Sequence, residues 1–253
     1  MAFLKGVYWD FDGTIANTEL EAHLPAFNKA FCDFGLNWHW KKSEYIGLLN
    51  INGGKNRISY YSRIVSKYLS NESIIEIHKK KQHYYLEYIK KNKVKLKTGV
   101  YRLIKELHTK NIRQFIVTSS SKLQVDILNQ YLFPEFNPFE FIISSDDVHF
   151  CKPNPYPYLK AISMSGINPS NSIVFEDSNT GIKSALDAKL PIIYVPSNIP
   201  TVIDKKVKLN CIVDTLGDEK RMANVIKGPK LNKKYIDFSF LNNYSKLFCD
   251  AKY

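Results

Sequence analysis

Two carboxylates placed two positions apart carry the first chemistry of the chain. Asp10 and Asp12 stand in Asp10-Phe11-Asp12-Gly13-Thr14, directly after the apolar run Gly6-Val7-Tyr8-Trp9. A run this short, ending on an acid, reads as a buried parallel strand. Both acids then fall where the strand opens into a loop, at the carboxyl edge where α/β sheets bind ligands. Two neighbouring carboxylates in unlike environments can divide nucleophilic and acid–base work. Gly13 allows the sharp backbone turn that a close anion approach requires. An isolated Asp-Gly is also a common solvated turn, and the buried strand before it argues against that reading here.

The elements that must position this pair follow from the hydrophobic pattern. From about Thr18 to Asn92 the apolar residues recur at helical spacing. Ala26, Phe27, Ala30, Phe31 and Phe34 form one stripe, and Gly35 stands where a helix would end. Further helices are predicted over 43–49, 58–69 and 73–91. From Lys97 onward helix and strand alternate: helices over 100–109, 123–132, 156–164 and 180–188, with strands over 112–117, 141–143, 173–175 and 192–195. Cys211-Ile212-Val213 is predicted as a last edge strand. Such alternation implies βαβ units, a parallel sheet and helices on both faces, so the fold class is α/β with a helical block inserted after the first strand. The segment after Leu216 is rich in lysine and suggests no role.

Composition narrows the partners. With 253 residues the chain has room for one or two domains at ~150 residues each, and 44% hydrophobic with 24% charged residues is the range of a folded protein. No apolar run approaches the ~18 residues that a membrane-spanning helix needs. The formal net charge is +12, yet arginine occurs only at Arg57, Arg63, Arg102, Arg113 and Arg221. Few guanidinium forks argue against nucleic acid as a partner, while the positive field favours small anions. Cys32, Cys151, Cys211 and Cys249 are widely spaced, which fits a reducing compartment better than a disulfide or zinc scaffold. No secretory signal is visible at the start of the chain.

Four stretches in order resemble the motifs of the haloacid dehalogenase (HAD) superfamily. They are Val7–Ile15, Phe115-Ile116-Val117-Thr118, Lys152-Pro153-Asn154-Pro155 and Val174-Phe175-Glu176-Asp177-Ser178. The resemblance implies a Rossmann-like HAD core over 1–15 and 96–216, an all-helical C1 cap over 16–95, and a C-terminal tail over 217–253. It also implies phosphoryl transfer, which needs an in-line nucleophile, neutralised phosphate oxygens and a proton for the leaving group. Asp10 would be the nucleophile, giving an aspartyl-phosphate. Asp12 would protonate the leaving alkoxide and then activate water. Mg²⁺, a hard cation, would be held by the Asp10 carboxylate, the Asp12 carbonyl and Asp177, with Glu176 bound directly or through water. Thr118 would bind a phosphoryl oxygen with the Ser119 and Ser120 backbone, and Lys152 would offset phosphate charge and hold Asp10. Ser119 could supply the hydroxyl instead, Thr118 could cap the next helix, and Glu176-Asp177 could cap the helix that follows them.

A narrower resemblance lies in the inserted block. His23 with Ala26-Phe27-Asn28, Gly35–Trp40, Tyr45, Leu48-Leu49 and Gly53-Gly54-Lys55-Asn56-Arg57-Ile58 look like the cap of CbbY-type phosphatases. That family removes a phosphate from xylulose-1,5-bisphosphate, an inhibitor of Rubisco. Gly54, Lys55 and Arg57 at a helix start would then receive a second phosphate, while Glu19 and Tyr45 would meet the sugar and His23 either phosphate or sugar. The alternative for His23 and Tyr45 is packing inside the cap, and for Lys55 and Arg57 a solvated helix face. Leu24-Pro25 departs from the family, which has a basic residue after the histidine. Trp38 and Trp40 are expected as cap core, and the lysines between His78 and Lys97 as a solvated helix face and hinge. A monomer is expected, though nothing in the sequence reveals the oligomeric state; the resemblance implies an enzyme linked to Rubisco in function without direct contact, in a plastid stroma or bacterial cytoplasm. Two other readings stand beside it: a β-phosphoglucomutase-like mutase, which shares the motifs, and a non-catalytic anion-binding protein on the same scaffold, against which it counts that every catalytic position is filled by a competent residue.

Overall fold

A computed structural model of the chain describes residues 3–250 apart from Asn52, Lys93, Lys205 and Lys206. The chain divides into two compact units, one formed by residues 1–17 with 95–253 and the other by residues 18–94.

The first unit is built on a seven-stranded sheet. Its strands are β1 (Gly6–Trp9), β2 (Arg113–Val117), β3 (Phe141–Ile143), β4 (Ser172–Glu176), β5 (Ile192–Tyr194), β6 (Cys211–Val213) and β7 (Val225–Lys227). They lie in the order β3-β2-β1-β4-β5-β6-β7. All neighbours pair in parallel except β6 and β7. β1 and β4 are buried along their whole length, as the uninterrupted apolar runs require of strands covered on both faces. Trp9 pairs with Ile116 on one side and Phe175 on the other. The ends of β1, β2 and β4 therefore reach the same edge within a residue of one another. The strand order reverses between β1 and β4, which opens a ligand crevice there.

One expectation is corrected. Cys211–Val213 is not the sheet edge, because β7 pairs with it antiparallel. The lysine-rich segment after Leu216 is part of the same compact unit. Its helix Phe238–Asp250 buries Phe240, Leu241 and Tyr244, with Ile236 just before it. The Asn242 side chain accepts from Phe3 and Leu4 N–H (2.8 and 3.1 Å), and the Arg102 guanidinium donates to the carbonyls of Leu216, Gly217 and Ile236. The segment's described lysines are exposed and hide the apolar face from a composition count.

The second unit is helical: α1 (Leu24–Asp33), α2 (Lys42–Leu48), α3 (Gly54–Ile64) and α4 (Asn71–Asn92). Phe27, Phe31, Trp38, Trp40, Tyr45, Ile58 and Ile77 make its core. Trp40 lies 4.8 Å from the Phe27 ring and 4.7 Å from Phe31, and the Asn28 amide brackets its backbone from both sides (2.8 and 3.0 Å). Both tryptophans are core, as expected.

If the segment after Leu216 belongs to the core, Leu241→Ala should lower the unfolding free energy by about 2–5 kcal/mol. Urea denaturation checks this, and an unchanged midpoint would detach the segment from the fold.

Candidate active site

Asp10 directly follows the first strand, beside the ends of β2 and β4. Asp10 N–H donates to the Phe175 carbonyl (3.0 Å), and the loop beyond turns at Gly13, whose φ of +88° favours glycine. Lys152 enters from the loop after β3. Its Nζ donates to Asp10 Oδ1 (2.7 Å), to Glu176 Oε1 (2.6 Å) and to the Val117 carbonyl (2.8 Å). One buried ammonium thus ties together the ends of three strands, and it leaves Asp10 Oδ2 as the oxygen available to a reactant. Tyr158 adds a hydrogen bond to Glu176 Oε1 (2.7 Å), and Glu176 Oε2 accepts from Asp177 N–H and the Ser178 hydroxyl (3.3 Å each).

Burial sets the electrostatics. It raises Asp10 well above the usual carboxylate range, and the Glu176 charge adds to this while Lys152 pulls back. Asp177 is pushed up to about 7 by burial and by Glu176. Burial by itself would lower Lys152, but the Asp10 and Glu176 carboxylates outweigh it and raise the ammonium above its ordinary value. Burial brings Lys97 down to about 8, against the attraction of Asp177 and Asp10. Three carboxylates against few cations is a set that an added positive charge would stabilise.

The donor set fits such a charge. Asp10, Glu176 and Asp177 offer oxygens within 4.8 Å of one another. Oxygen-only ligands suit Mg²⁺ rather than a soft metal. Two glycines keep the space clear: a Cβ on Gly13 would lie 2.1 Å from Asp177 Oδ2, and one on Gly181 would lie 2.0 Å from the Glu176 carboxyl.

Asp12 is held by the Ser120 hydroxyl, which donates to its Oδ2 (2.6 Å). Thr118 is buried, and its Oγ1 accepts from Ser120 N–H (3.1 Å). Ser121, not Thr118, occupies the position before helix Lys122–Leu132. Ser119 is exposed. Asp10, Asp12, Thr118, Ser120, Lys152, Glu176 and Asp177 therefore converge on one sheet edge, with Ser119 on the same loop.

Glu19, His23, Tyr45, Gly54, Lys55 and Arg57 belong to the helical unit, where Tyr45 joins Glu19 to Arg57 and His23 meets Lys81 and Tyr85. Tyr45 donates to Glu19 Oε2 (2.5 Å), and Arg57 Nη1 donates to the Tyr45 hydroxyl (3.4 Å) while its Nε binds the Ile51 carbonyl (3.0 Å). His23 stacks on Tyr85 (4.2 Å) and lies with Nδ1 2.6 Å from Lys81 Nζ. Because an ammonium only donates, Nδ1 is the acceptor. Lys55 is exposed, and Gly54 packs close to His78, whose Nε2 would lie 2.7 Å from an added Cβ.

Three residues escaped the sequence reading. Lys81 is buried against Phe27 and Tyr85, not on a solvated face. Lys97 is bound to backbone carbonyls of the core unit. Tyr158 steadies Glu176. For Lys81 the available signal was weak, a basic residue at a helical interval from apolar ones; for Lys97, outside any helix, and for Tyr158 there was none.

The sequence profile of haloacid dehalogenase-like hydrolases matches residues 7–195. The chain belongs to this family. The hydrolase is 37% identical to protein CbbY of Rhodobacter capsulatus over 196 residues, covering 77% of this chain and 86% of that protein. It is 29% identical to a CBBY-like protein of Arabidopsis thaliana, covering 92% of this chain and 76% of the relative. Among solved structures it is similar to a CbbY variant from Rhodobacter sphaeroides in complex with xylulose-(1,5)bisphosphate. That match has a TM-score of 0.76 and 28% identity, covering 84% of this chain and 94% of that one. The hydrolase is a phosphatase of this family.

The raised Asp177 makes a signed prediction. Between pH about 4 and 7 the folded hydrolase holds a proton that the unfolded chain has released, so metal-free stability should fall as pH rises through that window. Mg²⁺ should remove the loss by stabilising the ionised form. Denaturation at pH 5 and 7 with and without Mg²⁺ checks both signs; a metal-free protein that grows more stable toward pH 7 would contradict them.

Proposed function

We propose that the hydrolase removes one phosphate from xylulose-1,5-bisphosphate with Mg²⁺ bound at Asp10, Asp177 and the Asp12 carbonyl, and Glu176 beside them. The observation that carries the chemistry is the buried Asp10 carboxylate with Oδ1 fixed by Lys152, which aims Oδ2 for in-line attack on phosphorus. The bond from phosphorus to the sugar oxygen breaks as the Asp10–phosphorus bond forms. Asp12, oriented by Ser120, gives the leaving alkoxide its proton and afterwards takes one from the water that attacks the aspartyl-phosphate. The Thr118 hydroxyl, whose Oγ1 is held by Ser120 N–H, and the Ser119 backbone N–H receive phosphoryl oxygens, and Lys152 offsets their charge. The metal supplies charge neutralisation that lets an anionic nucleophile approach an anionic phosphate.

The substrate rests on the helical unit and on similarity. Lys55, Arg57 and the helix start at Gly54 suit a second phosphate, Glu19 and Tyr45 suit sugar hydroxyls, and His23 suits either. The CbbY relatives support the same choice, and they include bacterial and plant proteins. On this reading the hydrolase clears an inhibitor of Rubisco without binding it, in a bacterial cytoplasm or a plastid stroma.

Phosphate release with Mg²⁺ from xylulose-1,5-bisphosphate, ribulose-1,5-bisphosphate, β-glucose-1-phosphate and glucose-6-phosphate tests this. The first should be strongly preferred, and Asp10→Asn should lose activity by at least about 10³-fold. Equal turnover of the monophosphates would overturn the substrate while keeping the reaction.

A further inference from the structure

We propose that the Lys97 ammonium acts as a tethered monovalent cation, a positioning residue that holds the Asp12–Gly13 turn and the loop after β5 in their working arrangement. Its Nζ donates to the Gly13 carbonyl, to that of Pro196 (3.0 Å) and, more weakly, to that of Val195 (3.5 Å). Carbonyl oxygens gathered from two loops far apart in sequence are the partners that a bound potassium or ammonium ion takes. The tether is short. Lys97 N–H donates to the Ile15 carbonyl (2.9 Å), and the neighbouring Leu96 bridges Ala16.

Backbone and head group therefore grip residues 13–16 at two points. The turn is closed from within by Gly13 N–H to the Ala16 carbonyl (2.7 Å) and Ile15 N–H to the Phe11 carbonyl (2.9 Å). Gly13 has no side chain with which to hold its left-handed conformation, so an external grip on its carbonyl matters most there. The partners of Lys97 are carbonyls, which neither give nor take a proton under these conditions. Its part is to place the turn that carries Asp12, not to move protons. Misplacing such a group by about 1 Å costs on the order of 10²-fold in rate.

The inference rests on the phosphatase reading only for its kinetic readout. The test uses the full chain with p-nitrophenyl phosphate and Mg²⁺, comparing wild type, Lys97→Met and Lys97→Ala. Both variants should lose about 10²-fold in kcat with a smaller change in KM. Propylammonium or methylammonium should restore a large part of the loss in Lys97→Ala, which leaves room for the ion, but none in Lys97→Met, which fills it. A second readout needs no turnover: without metal, the same amines should raise the melting temperature of Lys97→Ala and leave wild type unmoved.

Wild-type kcat in Lys97→Met would overturn the proposal, as would a folded, slow Lys97→Ala that ignores the amines in both readouts. Where Lys97→Ala does not fold, the volume-keeping Lys97→Met decides through kcat at normal melting temperature. Failure of the wild type to release phosphate would count against the proposed function alone, since the melting readout remains.

Discussion

The core unit depends on one buried ammonium. Lys152 sits between Asp10 and Glu176 at 2.7 and 2.6 Å and also takes the Val117 carbonyl, so β1, β2 and β4 all terminate on it. Breaking a buried pair by removing one partner costs about 3–5 kcal/mol, because the remaining charge loses its compensation while staying out of water. Here two carboxylates would lose it together, with Asp177 beside them. The site is thus held in register by the same charge that keeps Asp10 oriented. Tyr158 and Ser178 complete the satisfaction of Glu176, so the negative charge that raises Asp10 and Asp177 stays fixed in place.

Crowding is the companion constraint. Carboxylates packed this closely leave no room for ordinary side chains on the elements that pass them. Gly13 and Gly181 stand at the two points where a single methyl would enter the Asp177 or Glu176 carboxyl. The first is in the loop after β1, and the second lies in the opening turn of the helix after β4. Each glycine weakens its own segment through backbone freedom. Interactions from elsewhere make up the difference: the Ser178 hydroxyl accepts from Gly181 N–H (3.1 Å), and Lys97 binds the Gly13 carbonyl.

The parallel sheet was legible because Tyr8, Ile116 and Val174 lie in uninterrupted apolar runs that end on polar residues, and a run of this kind has few alternatives. The acids at those ends were legible for the same reason. What stayed hidden depends on distance along the chain. Lys81 and Lys97 read as members of a lysine-rich stretch, since sequence does not reveal which ammonium turns inward to His23 or to a carbonyl more than eighty residues away. Tyr158 carried no mark of its contact with Glu176. The segment after Leu216 was masked by composition, because its lysines outnumber the few apolar residues, Ile236, Phe240, Leu241 and Tyr244, that dock it.

The central claim is that the Asp10 carboxylate itself takes the phosphate, and one measurement addresses it directly. The hydrolase is quenched with acid during turnover of xylulose-1,5-bisphosphate, reduced with borohydride and digested, and the peptide containing residue 10 is sequenced by mass spectrometry. The account predicts homoserine in place of Asp10, formed only when substrate was present. Unmodified Asp10 in actively turning-over enzyme, or modification of Asp12 or Asp177 instead, would contradict it.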